Sequence, residues 1–216
     1  MKILIFDTET TGLPTSRESA LTSNSWPHLV SISWVLLNTE TNKIEKEVSE
    51  IIFPENWQIP IESTNIHGIS HDTAVEQGVF LKDSMAKLFS QSWDAVACHN
   101  FDFDNNVITQ AMKWDLGVIG YLGLQKYKNY CTMKLSKNIC KLPGKFGYKN
   151  PKLSELYYHT FKHHPNGQLH SSAYDTKILA EIIQNCQELR LKMDLPVTTT
   201  HTSNEIHSDT ISFKLT

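Results

Sequence analysis

Hydrophobic residues alternate with polar residues in some segments of the chain and recur every three to four residues in others. Short runs rich in Ile, Leu, Val and Phe predict strands at residues 2–6, 29–37, 44–53 and 95–98. Helical spacing predicts helices at residues 80–90 and 101–114, and a last amphipathic helix that includes residues 175–186. We expect the first strands to pair as antiparallel neighbours. The helices and strands that follow predict a mixed sheet with helices on both faces.

Acidic residues continue the apolar face of the first predicted strand. Alternate residues of a strand share a face, so Asp7 and Glu9 point the same way as Ile3 and Ile5. Two carboxylates at the end of a buried strand are costly unless they are paired or bind a cation. In α/β sheets, this end of the strands is also where ligands bind. The pattern therefore indicates a metal or ligand site.

Two predicted helices also carry an acidic residue on an apolar face. Asp104 lies on a helical stripe with Val107 and Ala111, and Asp175 lies on a stripe with Leu179. An acidic residue near a helix start is also common as a cap or as a partner of the helix dipole, so neither helix is decisive alone. Together with the first strand, the two helices favour one metal-dependent active site.

His170 precedes the last amphipathic helix. Ser171 or Ser172 is a plausible N-cap, which puts His170 in the loop before the helix and on the approach to Asp175. Imidazole titrates near neutral pH and suits a general base. The chain has ten histidines, most of which we expect to be structural, so position alone does not assign this role.

Three ordered segments carry the most specific pattern in the chain. They are Phe-Asp-Thr-Glu-Thr-Thr-Gly-Leu at residues 6–13, His-Asn-Phe-Asp-Phe-Asp at 99–104 and His-Ser-Ser-Ala-Tyr-Asp at 170–175. In residues, order and spacing they resemble the motifs of the DEDDh exonuclease family, which includes the proofreading epsilon subunit of bacterial DNA polymerase III, ribonuclease T and the oligoribonucleases. Asn-Ile-His-Gly-Ile at 65–69 resembles a further family segment. The resemblance covers residues 1–191 and implies an α/β, ribonuclease H-like fold with a mixed five-stranded sheet.

The resemblance also implies a reaction and the residues that perform it. It implies a 3′-to-5′ exonuclease that binds two divalent cations, Mg²⁺ with Mn²⁺ as a substitute, through Asp7, Glu9, Asp104 and Asp175, with Asp7 bridging the ions. His170 is the implied general base, which takes a proton from the attacking water and leads to release of a nucleoside 5′-monophosphate. Carboxylate oxygens suit hard cations, and two cations can stabilise the charge that develops during phosphodiester hydrolysis.

Substrate contacts are implied at Thr10, Leu13, His67 and Asn100. By resemblance, Thr10 contacts the terminal 3′-hydroxyl, Leu13 packs against the last base, and His67 and Asn100 lie near the terminal nucleotides. The sequence is equally consistent with Leu13 as an ordinary packing residue, and Asn100 could be a turn or cap residue. We favour single-stranded DNA over RNA, but the contacts near the sugar 2′-position that separate them cannot be located in a sequence.

Lysines are concentrated between residues 126 and 162. The whole chain has a formal charge of −3, whereas this segment has nine lysines against one acidic residue, a local charge of +8. Tyr127, Tyr130, Phe146 and Tyr148 lie among the lysines. Cations beside aromatic rings suit single-stranded nucleic acid. The alternative is a solvated charged face with its aromatic residues in the core.

The length of 216 residues and the 40% hydrophobic content predict one domain, which the resemblance identifies as an exonuclease domain at residues 1–195, and the polar composition after Pro196 predicts a flexible tail at 196–216. The chain has no apolar run of membrane-spanning length and no signal peptide, so we expect a cytoplasmic protein. A nucleic-acid-binding or scaffolding module of a DNA polymerase complex, with little activity and with residues 211–216 as a docking peptide, stays open as an alternative. Monomer and homodimer are both open. The five intact motif residues favour an enzyme.

Overall fold

The computed structural model describes residues 1–197 of the chain. Within this range, five strands form the main sheet: β1 (Lys2–Thr10), β2 (Leu29–Asn38), β3 (Lys43–Ile51), β4 (Ala95–Cys98) and β5 (Lys128–Cys131). Their order across the sheet is β3-β2-β1-β4-β5. β1 is antiparallel to β2 and β2 to β3, whereas β4 is parallel to both β1 and β5. The predicted mixed five-stranded sheet and its antiparallel first strands are confirmed.

Helices cover both faces of this sheet. In the described range they are α1 (Ile61–His67), α2 (His71–Gln77), α3 (Leu81–Phe89), α4 (Phe101–Gln110), α5 (Thr132–Cys140), α6 (Leu153–Phe161), α7 (Ser172–Asn185) and α8 (Gln187–Lys192). A π-helical turn (Ala111–Asp115) extends α4, and a short 3₁₀ turn (Leu124–Lys126) precedes β5. A small hairpin of β6 (Pro143–Gly144) and β7 (Gly147–Tyr148) joins α5 to α6.

The two faces of β1 belong to two hydrophobic layers. Ile3 and Ile5 pack in one layer with α7, whereas Leu4 and Phe6 pack in the other with α3 and α4. This division follows from the two-residue period of a strand. The predicted helical stripes are confirmed, since their apolar members on α4 and α7 are buried in these layers.

Some predicted element ends differ from the observed ones. β1 continues beyond residue 6 to Thr10, because its pairing with β2 continues through Glu9 and ends with Thr10 opposite Leu29. The predicted helix at residues 101–114 is α-helical only to Gln110. β5 was not located from the sequence, because four residues with two apolar members are too short for a periodic signal.

The lysine-rich segment contains both core and surface aromatic residues. Tyr130 of β5 is buried, and its hydroxyl donates a hydrogen bond to the Met193 carbonyl oxygen at 2.6 Å. The prediction that Tyr130 is available to stack on bases is therefore wrong, because strand alternation directs it into the core. Tyr127 is partly buried, whereas Phe146 and Tyr148 are 90% and 44% exposed.

Arg190 of α8 is a fully buried cation surrounded by neutral oxygens. Its Nε donates to the Pro196 carbonyl at 2.6 Å, and its terminal nitrogens donate to Asn42 Oδ1, the Ile183 carbonyl and the Thr39 carbonyl at 2.8 to 3.2 Å. Burial lowers the pKa of the guanidinium. One side chain thus connects the turn between β2 and β3 with α7 and the segment after α8.

No helix within residues 1–197 is long and apolar enough to cross a membrane. Except for residues 196 and 197, the predicted tail at 196–216 lies outside the described residues, and so does the predicted docking peptide at 211–216.

Candidate active site

Three carboxylates gather where β1 ends. Asp7 and Glu9 project from β1 on the face covered by α7, and Asp175 lies in the first turn of that helix. Carboxylate oxygens of these three residues all lie within 4.8 Å of one another. The shared face predicted for Asp7 and Glu9 is observed, because regular strand geometry continues as far as Glu9.

Asp104 approaches the same strand end from the opposite face of the sheet. It lies on α4, and only 3% of the residue is exposed. Its Oδ1 accepts hydrogen bonds from the backbone N–H of Thr8 at 3.2 Å and from the Thr8 hydroxyl at 2.8 Å. Thr8 points away from Asp7 and Glu9, so one strand end presents groups to both layers. The sequence analysis missed Thr8, since strand alternation indicates the face on which it lies but not its partner on α4.

Burial raises the pKa of all four carboxyl groups. The pKa of Glu9 rises to about 8, with repulsion from Asp175 and Asp104 adding to the burial. The pKa values of Asp104 and Asp175 rise to about 7 and about 6, against the opposing effects of the Thr8 hydrogen bonds on Asp104 and of His170 on Asp175. The pKa of Asp7 is also raised well above its usual range, first by burial and then by Asp104, Asp175 and Glu9. A nearby cation would relieve this repulsion.

The donor atoms fit a hard divalent cation. Asp175 Oδ1 is buried and has no hydrogen-bond partner among residues 1–197. A buried carboxylate oxygen without a donor is costly unless a cation or water satisfies it. The cluster offers carboxylate oxygens alone, which is the donor set that Mg²⁺ and Mn²⁺ prefer.

His170 lies next to this cluster, in the loop before α7. The helix begins at Ser172, and Ser171, one of the two predicted N-cap residues, occupies the N-cap position. His170 is exposed and has a left-handed backbone, with φ of 64°. Its backbone N–H donates to Asp175 Oδ2 at 3.1 Å. The main chain makes this contact, so the imidazole ring keeps its own donor and acceptor atoms.

A serine network fixes the start of α7 on the sheet. The buried Ser172 hydroxyl lies 2.9 Å from the hydroxyls of both Ser31 and Ser33 on β2. One turn later, the Thr176 hydroxyl donates to the Ser33 carbonyl at 3.1 Å. The sequence analysis missed this network, for which alternate serines in an otherwise apolar strand were the available signal. The network positions the helix turn that carries Asp175.

A pocket of about 260 Å³ opens beside the carboxylates. It contains four of the predicted site residues besides Glu9, namely Thr10, Leu13, His67 and His170. Leu13 is 80% exposed, so it is not an ordinary packing residue. The sequence analysis missed the other residues around the pocket, which are Thr8, Gly12, Ser63, Ile66 and Phe103.

His67 presents a neutral ring to the pocket. It is 5% exposed at the C-terminal end of α1, and its Nδ1 accepts a hydrogen bond from the Ile69 N–H at 3.1 Å. The ring proton of the neutral form is therefore on Nε2, which has no well-formed hydrogen bond within the described residues. Burial lowers the pKa of His67, and an interaction of the ring with the Thr10 backbone offsets part of this shift. The ring is suited to donate a hydrogen bond to a ligand.

Asn100 lies at the N-cap of α4 with φ of 99°, and its side chain makes no cap hydrogen bond. It is not among the residues around the pocket, so its substrate contact stays a prediction. The preceding His99 is a structural link, since Nδ1 lies 3.0 Å from the Thr132 hydroxyl and Nε2 lies 3.0 Å from the Pro151 carbonyl. Burial lowers the pKa of His99 to about 4, so its ring is neutral near pH 7.

Comparison with known sequences gives a family match over most of the chain. The model of the RNase_T family, described as an exonuclease family, matches residues 4–183. A search of curated proteins finds no match.

Three solved structures of similar fold are distant from this chain in sequence. Exonuclease X in complex with 5′-overhanging duplex DNA is 23% identical with a TM-score of 0.59, covering 90% of this chain and 95% of that one. The nuclease domain of 3′hExo, a DEDDh family member bound to rAMP, is 20% identical with a TM-score of 0.61, over 91% and 96% of the two chains. A zinc-bound Escherichia coli ExoI–ssDNA complex is 14% identical with a TM-score of 0.65, over 89% and 42%. These similarities confirm the predicted ribonuclease H-like fold.

Proposed function

Because the chain belongs to the RNase_T family of DEDDh-type exonucleases and is thus a hydrolytic nuclease, we propose that it removes nucleotides from the 3′ end of single-stranded nucleic acid. The proposed products are nucleoside 5′-monophosphates, and DNA is the favoured substrate. The family depends on divalent metals, and we propose Mg²⁺, with Mn²⁺ as a substitute.

One observation supports this proposal most strongly. Four carboxylates approach one end of β1 from both faces of the sheet, and His170 lies beside them at a pocket comparable in size with one nucleoside. A pocket of this size suits a terminal nucleotide better than an internal segment of a strand. A scaffolding module with little activity has no chemical need for this combination.

Asp7, Glu9, Asp104 and Asp175 would hold the cations. When bound, these would supply positive charge to the phosphate oxygens, where negative charge develops during hydrolysis. The carboxylates must be ionised for this role, and their raised pKa values make binding stronger as the pH rises.

His170 is the proposed general base. Its exposed ring can accept a proton from the attacking water, while its backbone hydrogen bond to Asp175 holds the loop in place. A positioned base of this kind contributes roughly 10²- to 10⁴-fold in rate.

The pocket residues would hold the terminal nucleotide. Thr10 offers its backbone for the 3′-hydroxyl, because its own hydroxyl already donates to the Gly12 carbonyl at 2.7 Å. His67 Nε2–H is a second donor, and the exposed Leu13 side chain offers an apolar surface to the last base. Asn100, at the α4 N-cap, is a further proposed contact. A polymerase partner is not part of the proposal, because residues 211–216 lie outside the described range.

The test is digestion of matched single-stranded DNA and RNA oligonucleotides labelled at the 3′ or the 5′ end, with Mg²⁺, Mn²⁺ or chelator. We expect metal-dependent release of labelled mononucleotide from the 3′-labelled strand and a shortening ladder from the 5′-labelled strand. Asp7→Asn and His170→Asn should each abolish most of the activity.

Two exposed residues away from the site provide matched controls. Asp83→Asn on α3 removes one carboxylate, and His164→Asn removes one imidazole, and neither should change the rate. Release of the 5′ label first would contradict the proposed direction. Absence of degradation with every metal and strand would contradict the proposed reaction.

A further inference from the structure

The hairpin between α5 and α6 is basic and exposed. Residues 141–149, which we call the basic arm, read Lys-Leu-Pro-Gly-Lys-Phe-Gly-Tyr-Lys and contain three lysines and no acidic residue. All of them except Leu142 are exposed. β6 and β7 pair Pro143 with Tyr148 and Gly144 with Gly147, so the arm is an ordered hairpin.

An aromatic ring stands at the tip of the basic arm. Lys145 and Phe146 form the turn, and Gly147 closes it with φ of 85°, a left-handed conformation that suits glycine. Phe146 is 90% exposed, and Lys145 Nζ lies 5.4 Å from its ring centroid. Tyr148, which is 44% exposed, follows on β7. Folding gains little from a ring that stays in water, so the ring is free to pack on a partner.

Positive charge on the arm is largely uncompensated. Within residues 1–197, neither Lys141 nor Lys145 has a carboxylate partner, whereas Lys149 pairs with Glu155 of α6. Phosphates could therefore bind these two lysines without displacing an existing ion pair.

The base of the arm lies at the same edge of the sheet as the carboxylates. The Lys149 N–H donates to the Leu142 carbonyl at 3.0 Å and closes the hairpin. Two residues later, the Pro151 carbonyl lies 3.0 Å from Nε2 of His99, which directly follows β4. Because β4 is parallel to β1, the C-terminal ends of both strands lie at one edge. The base of the arm therefore lies beside the site, close to the start of α4, the helix that carries Asp104.

We propose that the basic arm binds the single strand on the 5′ side of the terminal nucleotides. Phe146 and Tyr148 stack on unpaired bases, and Lys141 and Lys145 contact phosphates. Unpaired bases are the partner that the exposed rings favour, because bases in a duplex already stack on one another. The inference rests on the proposed function and deepens it, since substrates long enough to reach the arm bind more tightly than substrates that fill only the pocket.

The test measures binding by fluorescence anisotropy in an Asp7→Asn background, so that hydrolysis does not interfere. Oligodeoxythymidylates of 3 and 20 nucleotides serve as short and long probes. Phe146→Ala should weaken binding of the long probe at least about fivefold, since stacking is worth about 1–3 kcal/mol per base. It should leave the short probe unchanged, and Phe146→Trp should retain tight binding.

Charge is tested with a double substitution and a matched control. Lys141→Ala with Lys145→Ala should reduce the salt slope for the long probe by about 1.4, at about 0.7 for each phosphate contact. Lys43→Ala with Lys82→Ala removes the same charge from exposed positions on β3 and α3, and should leave the slope unchanged.

Equal binding of the long probe by the arm variants and the parent would overturn the inference. A blunt-ended duplex serves as a further probe. If the arm variants lost affinity for this duplex alone, the inference would also be overturned, because the arm would then contact duplex and not single strands. The binding result does not depend on hydrolysis. Failure of the otherwise unaltered chain to hydrolyse either probe would therefore count against the proposed function and not against the arm.

Discussion

The backbone N–H of His170 donates a hydrogen bond to Oδ2 of Asp175 at 3.1 Å, so the proposed base and a proposed metal ligand are joined through the main chain. The other oxygen, Asp175 Oδ1, is buried and has no hydrogen-bond partner within residues 1–197. The side chain of residue 170 can thus be changed without removing the bond that orients Asp175.

This arrangement separates the proposed proton transfer from the proposed metal binding. His170→Asn keeps the backbone N–H and a residue type that tolerates positive φ, but it removes the proposed base. We expect kcat to fall by about 10²- to 10⁴-fold while Mn²⁺ affinity, measured by calorimetry, stays near that of the parent. Asp175→Asn should lower both. Equal loss of Mn²⁺ affinity in the two variants would show that His170 acts through the loop and not as a base.

The four raised carboxyl pKa values predict how stability depends on pH without metal. These four groups bind more protons in the folded protein than in the unfolded chain, where carboxyl pKa values are about 4, so the stability they contribute is largest at low pH and is lost as the pH rises through about 6 to 8. With chelator, we expect Tm in thermal unfolding to fall between pH 6 and pH 8. Asp7→Asn should flatten this dependence, and a Tm that rises over the interval would contradict it.

Divalent metal should reverse the loss of stability between pH 6 and pH 8. Metal binding needs ionised carboxylates, so saturating Mg²⁺ or Mn²⁺ should raise Tm more at pH 8 than at pH 6. The control is Asp83→Asn, which should respond to the metal as the parent does. Identical metal-induced shifts at both pH values would indicate binding away from the carboxylate cluster.

Ser172 should matter for both stability and rate. Ser172→Ala leaves the hydroxyls of Ser31 and Ser33 without their shared partner, and we expect a loss of about 1–3 kcal/mol in urea unfolding, together with a lower kcat. Ser136→Ala is the matched control, because this buried serine bonds only to carbonyls of its own helix region. It should have the smaller effect on stability and none on kcat. An unchanged kcat in Ser172→Ala would limit the network to a structural role.

Arg190 is expected to be one of the costliest positions to change. Arg190→Met keeps the aliphatic volume but removes hydrogen bonds to four oxygens, two of them in buried contacts, so we expect a loss of about 3 kcal/mol or more in the free energy of unfolding. Lys192→Met, at an exposed position in the same helix, should stay within about 0.5 kcal/mol. Similar urea midpoints for the two variants would contradict this expectation.

Leu13 should affect substrate binding without affecting stability. Its side chain is 80% exposed at the pocket, so Leu13→Ala would remove the proposed apolar contact with the last base and should raise KM about tenfold. Ile119→Ala, at a fully exposed position away from the pocket, is the control and should leave KM unchanged. An unfolding midpoint that falls with Leu13→Ala would show a packing role instead.

Local periodicity predicted those parts of the site that depend on one element alone. The shared face of Asp7 and Glu9 and the core stripe of Asp104 both follow from the regular geometry of a strand or a helix. The contact between Asp104 and Thr8 could not be predicted, because it depends on how α4 packs across β1. Tyr130 was misread for a related reason: its burial depends on pairing with β4, which composition does not reveal.

With the proposed set of metal ligands, the origin of the carboxylates on opposite faces of the sheet makes hydrolysis conditional on complete folding. Asp104 belongs to the layer of α3 and α4, whereas Asp175 and His170 come with α7 on the other side. An intermediate that has formed only one layer holds an incomplete set of charged groups. Such a species could not cut nucleic acid nearby, so a nuclease built in this way is harmless until both layers have assembled.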